Sequence, residues 1–173
     1  MRNLTLVLLA ACSNAANPKV DALPSHDGPD VDASQVDSSP LDGAPALRIL
    51  VINEVAASET PDWFEIVNAT GSPVQLSDFI FVDKKDDFVK AVPFPAMMLG
   101  PGAYYAQDVD GVVVPFKLAG DEELWVYRGS DHALSDGVDW NMGDSPAGSS
   151  FARVPDIFGP FQTVTHQTKG THN

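Results

Sequence analysis

The 173-residue chain has a single cysteine, Cys12. No intrachain disulfide can therefore brace it, and any folded part must rely on its core. Basic residues are scarce: ten Lys and Arg stand against twenty-four Asp and Glu, giving a formal net charge of −14. Such a chain repels phosphate backbones, which argues against nucleic acid as a direct partner. No apolar run reaches the roughly 20 residues that a membrane-spanning helix needs. No segment has the apolar period of an amphipathic helix, and no internal repeat is visible. Core material is not what is missing. Hydrophobic residues make up 44% of the chain, an ordinary share for a globular protein.

The opening, MRNLTLVLLAAC, supplies Arg2 as a minimal positive start and a short apolar run over residues 4–11, broken by Thr5. It reads as a signal peptide over residues 1–11, an address rather than part of the fold. The sequence Leu9-Ala10-Ala11-Cys12 resembles a bacterial lipobox. In that motif small residues admit the peptidase, and the thiol becomes the lipid attachment site. The resemblance implies acyl chains on Cys12 and stable anchoring to a membrane without a spanning helix. The plainer alternative is a signal peptide with an unmodified thiol. Ser13 follows the cysteine, and by the same resemblance a residue other than Asp there implies outer-membrane sorting, with exposure to periplasm or cell surface.

Residues 13–46 carry six Asp and one Lys and are otherwise rich in Pro, Ser, Ala and Gly, with no aromatic residue. Such a stretch cannot bury enough surface to offset its conformational entropy, so residues 12–46 are expected to be a lipidated cysteine followed by a disordered tether. Its Asp spacing suggests calcium but fails the EF-hand test. Counting from Asp30, position six is Gln35 and position twelve is Leu41. Counting from Asp108, Gly111 falls at position four and Ala119 at position twelve.

After Ala46 short apolar runs alternate with turn clusters, the pattern of an all-β sandwich. Strands are predicted over 48–56, 63–67, 79–82, 103–106, 112–117, 123–127, 137–140 and 150–154. Turn residues separate them, as in NATGSP at 68–73 and RGSD at 128–131. A straight strand over 48–56 puts Asn53 on one face and Glu54 on the other. Both then interrupt apolar rows near a strand end, where acids often guard a sheet edge.

INEV (52–55), DWFEIVN (62–68), VQLSDF (74–79), LGPGAYY (99–105), FKLAGDEELWVY (116–127), SSFARVPD (149–156) and the final TKGTHN, taken in order, resemble the bacterial lamin tail domain across residues 47–173. Two departures stand out: Ser77-Asp78-Phe79 replaces a Ser-Gly-Trp stretch, and Lys169 replaces a proline. The resemblance implies an immunoglobulin-like β-sandwich and a module appended to surface proteins and secreted hydrolases, usually without catalysis of its own. The partner expected of such a module is an unknown protein or glycan.

Several residues could carry chemistry. Glu54 and Glu65 match acids of the family pattern, and Arg153 matches its arginine. A structural charge pairing of Glu54 and Glu65 with Arg153 is the expectation, since burial penalises an unpaired carboxylate. A metal site or a catalytic dyad at these acids is the weaker reading, and no cofactor, metal ligand or catalytic residue is assigned. GDSP at 143–146 resembles a serine protease motif, with His132, Asp136 and Asp139 upstream, but three roles within so short a stretch lack the surrounding protease sequence. The histidines show no metal spacing. Trp63, Trp125, Trp140, Tyr104, Tyr105 and Tyr127 are expected to be mainly core, though a sugar- or peptide-binding surface would use the same residues. Tyr104 and Tyr105 should face opposite ways, leaving at least one exposed. DKKDD at 83–87 reads as a solvated hairpin tip. Together these give a non-enzymatic binding or scaffolding module at the cell envelope. The alternatives are a calcium-stabilised structural module and an accessory subunit of a secreted hydrolase.

Overall fold

The computed structural model describes residues 46–173. The predicted signal peptide, Cys12 and the linker before Ala46 lie outside the described residues. Among the described residues eleven strands succeed one another. They are β1 (Leu50–Ala56), β2 (Asp62–Asn68), β3 (Val74–Gln75), β4 (Phe79–Val82), β5 (Val92–Pro93), β6 (Met98–Leu99), β7 (Tyr104–Val109), β8 (Glu122–Arg128), β9 (Leu134–Trp140), β10 (Ser150–Arg153) and β11 (Phe161–Val164). Helix among the described residues is confined to two 3-10 turns, Leu76–Asp78 and Phe88–Lys90. The fold is all-β, as the alternation of apolar runs and turns predicts.

A five-stranded sheet runs β11-β10-β1-β2-β7, and a four-stranded sheet runs β5-β4-β8-β9; β3 and β6 form a small ribbon. Every pairing is antiparallel. The two larger sheets share one core, in the manner of a sandwich. Leu50, Ile52 and Val55 of β1 and Phe64 and Ile66 of β2 belong to the same cluster as Phe81, Leu124, Val126 and Trp140. Phe64 meets Phe81 edge-on at 5.0 Å between ring centres, and Phe94 packs on Phe81 at 4.8 Å.

Two features depart from the sequence expectation. The run 112–117 alternates like a strand but is a loop of bends. The carboxylate of Asp110 accepts the amides of Val112 and Val113, both at 2.8 Å, and curls the chain before a ladder can form. Val112 and Val113 are exposed, while Val114, Phe116 and Leu118 turn into the core. β1 is not straight either. Its pairing with β2 slips between Ile52 and Glu54, a β-bulge. Leu50, Ile52 and Val55 therefore face the core, and Asn53 and Glu54 both serve the opposite face, with Glu54 directly across from Glu65. These acids sit on central strands, not at a sheet edge.

The far side of the four-stranded sheet carries a second small cluster, Val82, Trp125 and Tyr127, with Phe88 packed against it. Residues 83–91 fold over it rather than standing free in solvent. Lys85 N donates to Glu123 at 2.8 Å, and Asp86 N donates to the Tyr127 hydroxyl at 3.1 Å. The Trp125 ring lies flat over its cross-strand neighbour, Gly137. A Cβ on Gly137 would fall 2.0 Å from that ring. Gly137→Ala is thus expected to destabilise the protein by about 1–3 kcal/mol, the usual cost of overpacking. A chemical denaturation midpoint equal to the wild type's would show that the ring is free to move aside.

Candidate functional site

The face of the five-stranded sheet turned away from the core is covered by the end of the chain. Val51, Ala56, Trp63, Val67 and Ala152 are buried there, outside the main core cluster. Among them lie Asn53, Glu54 and Glu65, each 0% exposed. Burying a carboxylate is costly unless donors surround it. For Glu54 and Glu65 those donors come from residues 168–173 and from close neighbours. Glu54 accepts from Thr168 N at 3.2 Å, from Thr168 Oγ1 at 2.7 Å and from the Ser150 hydroxyl. Glu65 accepts from Gly170 N at 2.6 Å and Asn53 Nδ2 at 3.3 Å. Asp156 completes the row. It accepts from Tyr104 Oη at 2.6 Å and Asn173 N at 3.1 Å, with His172 Nδ1 at 3.5 Å.

The expected pairing of Glu54 and Glu65 with Arg153 is therefore corrected. Arg153 serves Asp136 instead, at 3.2 Å. Its Nε donates to Ile52 O at 2.9 Å, and its guanidinium lies 4.4 Å over the Phe161 ring. The reason is the pleat: Ser150 and Ala152 share the Glu54 side of β10, where Ser150 reaches Glu54 and Ala152 lies opposite it. Arg153 is one residue further on and points the other way, toward β9. Asp136 accepts the Ile52 amide at 2.9 Å as well. Burial pushes its carboxyl above the usual carboxylate range, against the pull of Arg153 and then Arg48.

Ser135 and Asp156 carry no signal in the sequence, and Asp136 and Asn53, noted there for other reasons, join these acids only in the folded chain. Ser135 and Asp136 lie between the RGSD turn and the strand expected from Gly137, yet β9 begins at Leu134. Ser135 Oγ accepts from Leu50 N at 2.9 Å and donates to Leu50 O at 2.8 Å. The only hint in the sequence is a charged residue beside glycine at the edge of an apolar run.

The other candidate groups are also committed to the fold. Ser145 accepts from Ala57 N at 2.9 Å and donates to Val55 O at 3.1 Å, so its hydroxyl closes the end of β1. His132 stacks on Phe88 with ring centres 3.9 Å apart. The three tryptophans and Tyr127 are buried. Neither Tyr104 nor Tyr105 is fully exposed, contrary to expectation: the Tyr104 hydroxyl is tied to Asp156, and Tyr105 packs against the core and donates to Gln107 at 3.1 Å. Among the described residues no three His, Cys, Asp or Glu side chains come together to hold a metal ion. Lys169, where the lamin-tail pattern has proline, pairs with Asp108 and lies 5.4 Å from the centre of the Trp63 ring.

Compared with known proteins, the chain matches no family model, no curated protein and no solved structure.

The site has an electrostatic signature. Burial raises the Glu65 carboxyl to about 7, and the nearby Glu54 and Asp156 charges push the same way, against the bonds from Gly170 and Asn53. The folded protein then holds a proton on Glu65 that the unfolded chain releases near 4.5. In that window the folded state binds more protons, so stability falls as pH rises from about 4.5 toward 7. Glu65→Gln is expected to flatten this part of the melting-temperature profile. A variant whose profile is as steep as the wild type's would contradict the assignment.

Proposed function

We propose that the protein is a bacterial lipoprotein, anchored through lipid on Cys12, that presents a lamin-tail-like, immunoglobulin-like sandwich as a binding or scaffolding module at the cell envelope. The lamin-tail reading is supported by one observation above others. The motifs that carry the resemblance come from opposite ends of residues 47–173, and they meet in space. Glu54 of the INEV element and Glu65 of the DWFEIVN element receive Thr168 and Gly170 of the closing TKGTHN. A chance run of similar residues has no reason to converge.

The non-catalytic reading is supported by where the reactive groups go. Glu54, Glu65, Asp136 and Ser145 each accept backbone amides or hydroxyls from other parts of the fold. A nucleophile or general base needs a free lone pair aimed at a substrate. The function then lies in surfaces, with a protein or glycan as the partner and a tether that lets the module reach beyond the membrane.

Anchoring is tested by expressing the full chain with an alkyne-bearing fatty acid in a Gram-negative host. The wild type is expected to carry the label and sediment with outer membranes, and Cys12→Ala is expected to lose both properties. Unlabelled wild type, or a Cys12→Ala variant still bound to membranes, would contradict it.

A further inference from the structure

Residues 165–173 keep their place without a strand ladder. β11 ends at Val164, and the remaining residues form bends and turns. The segment lies on the sheet as a bound peptide would, with anchors separated by exposed residues. Thr168 reaches Glu54, Gly170 reaches Glu65, and Asn173 reaches Asp156, while Lys169, Thr171 and His172 are exposed. Asn173 Nδ2 adds a bond to Arg153 O at 3.0 Å. An open depression of about 430 Å³ is lined jointly by β11 and by His166, Thr168 and Asn173, so the segment is not packed flush against its own strand. The receiving side belongs to the sheet: Asn53, Glu54 and Glu65 lie on β1 and β2, interior strands of the ladder, and are buried with the segment in place.

Charge matches the two sides. From Ile157 to the last residue given there is no Asp or Glu, although the chain as a whole has a net charge of −14. This stretch meets a face bearing Glu54, Glu65, Asp108 and Asp156, and its Lys169 pairs with Asp108. It is the neutral-to-basic part of an acidic molecule, and so the part that a second acidic copy can accept.

We propose that this face is a peptide-recognition site, and that its ligand in trans is the C-terminal segment of a second copy of the chain, exchanged for the chain's own. Thr165 and His166 serve as the hinge, because Gln167 is itself an anchor, donating to Glu59 at 2.7 Å and to Ser149 O at 3.0 Å. A tethered segment competes at an effective concentration on the order of millimolar, so exchange is favoured where copies are crowded. Anchoring on one membrane would crowd them, and only that crowding rests on the lipoprotein reading. Exchange measured in solution is independent of it.

The full chain with Cys12→Ser would be used, alone and with Thr168→Ala plus Gly170→Pro. The second pair removes the Thr168 hydroxyl and the Gly170 amide hydrogen. Proline also cannot take the φ of +82° found at Gly170. The probe is a fluorescent peptide, THQTKGTHN. The variant with the unseated segment is expected to bind it saturably, at least tenfold tighter than the chain that keeps its own segment. A control peptide with alanine in place of the Thr168 and Asn173 equivalents is expected to bind at least tenfold more weakly. Hydrogen exchange on the chain with an intact segment gives a second readout. The Thr168 and Gly170 amides should exchange at least a hundredfold faster than those of Phe64 and Ile66. A folded variant that ignores the peptide, or binds the control equally, overturns the proposal. So do segment amides that exchange no faster than β2, because release would then require opening the whole sheet.

Discussion

Carboxylates without solvent must be given donors, and this chain has few cations to give. Residues 47–173 contain eight Lys and Arg against eighteen acids. Glu54 and Glu65 stand directly opposite each other on neighbouring strands, an arrangement that like charges disfavour. What makes it tenable is convergence of amide and hydroxyl donors from Thr168, Gly170, Ser150 and Asn53. The demand fixes several features at once. The bulge in β1 brings Asn53 to the same side as Glu54, and Asn53 Oδ1 in turn accepts from Ile157 N at 3.0 Å. The chain after β11 must return across the sheet to deliver its donors.

The same economy of donors governs the join between the two sheets. β10 pairs with β1 at Glu54 and Val55. β2 pairs along the other edge of β1, and further backbone groups on the β10 edge are met by side chains. Ser135 takes both polar groups of Leu50, Asp136 and Arg153 take those of Ile52, and Ser145 takes Val55 O and Ala57 N. Before β1, Leu47 N and Arg48 N donate to Leu134 O and Ser135 O of β9. Residues 47–48 thus run alongside one sheet before β1 joins the other, and the crossing is stitched by side chains that would otherwise look chemical. Among the described residues, the Asp136–Arg153 pair is the one place where a buried acid receives a nearly buried guanidinium, at 6% and 12% side-chain exposure.

The all-β character was legible because apolar alternation and turn residues both report local geometry. Most predicted strands recur for that reason. The 112–117 run misled because Asp110 bonds three successive amides, a local competitor that alternation does not register. β11, FQTV, was missed because two of its four residues are polar and it has only β10 beside it. At the site, the importance of Glu54, Glu65 and Arg153 was visible, but their partners were not. Partnership depends on the pleat, and one bulged residue at Asn53 reassigns the faces. Asp136 comes from the other sheet, at a sequence distance that spacing cannot resolve.

The buried acids are divided between two separate sets of donors: backbone and hydroxyl groups for Glu54, a guanidinium and an amide for Asp136. Double-mutant cycles on unfolding free energy separate them most directly, with Arg153→Met combined in turn with Asp136→Asn and Glu54→Gln. The expected coupling is at least about 1 kcal/mol for Arg153 with Asp136, and within about 0.5 kcal/mol of zero for Arg153 with Glu54. Strong coupling between Arg153 and Glu54, with none to Asp136, would contradict it.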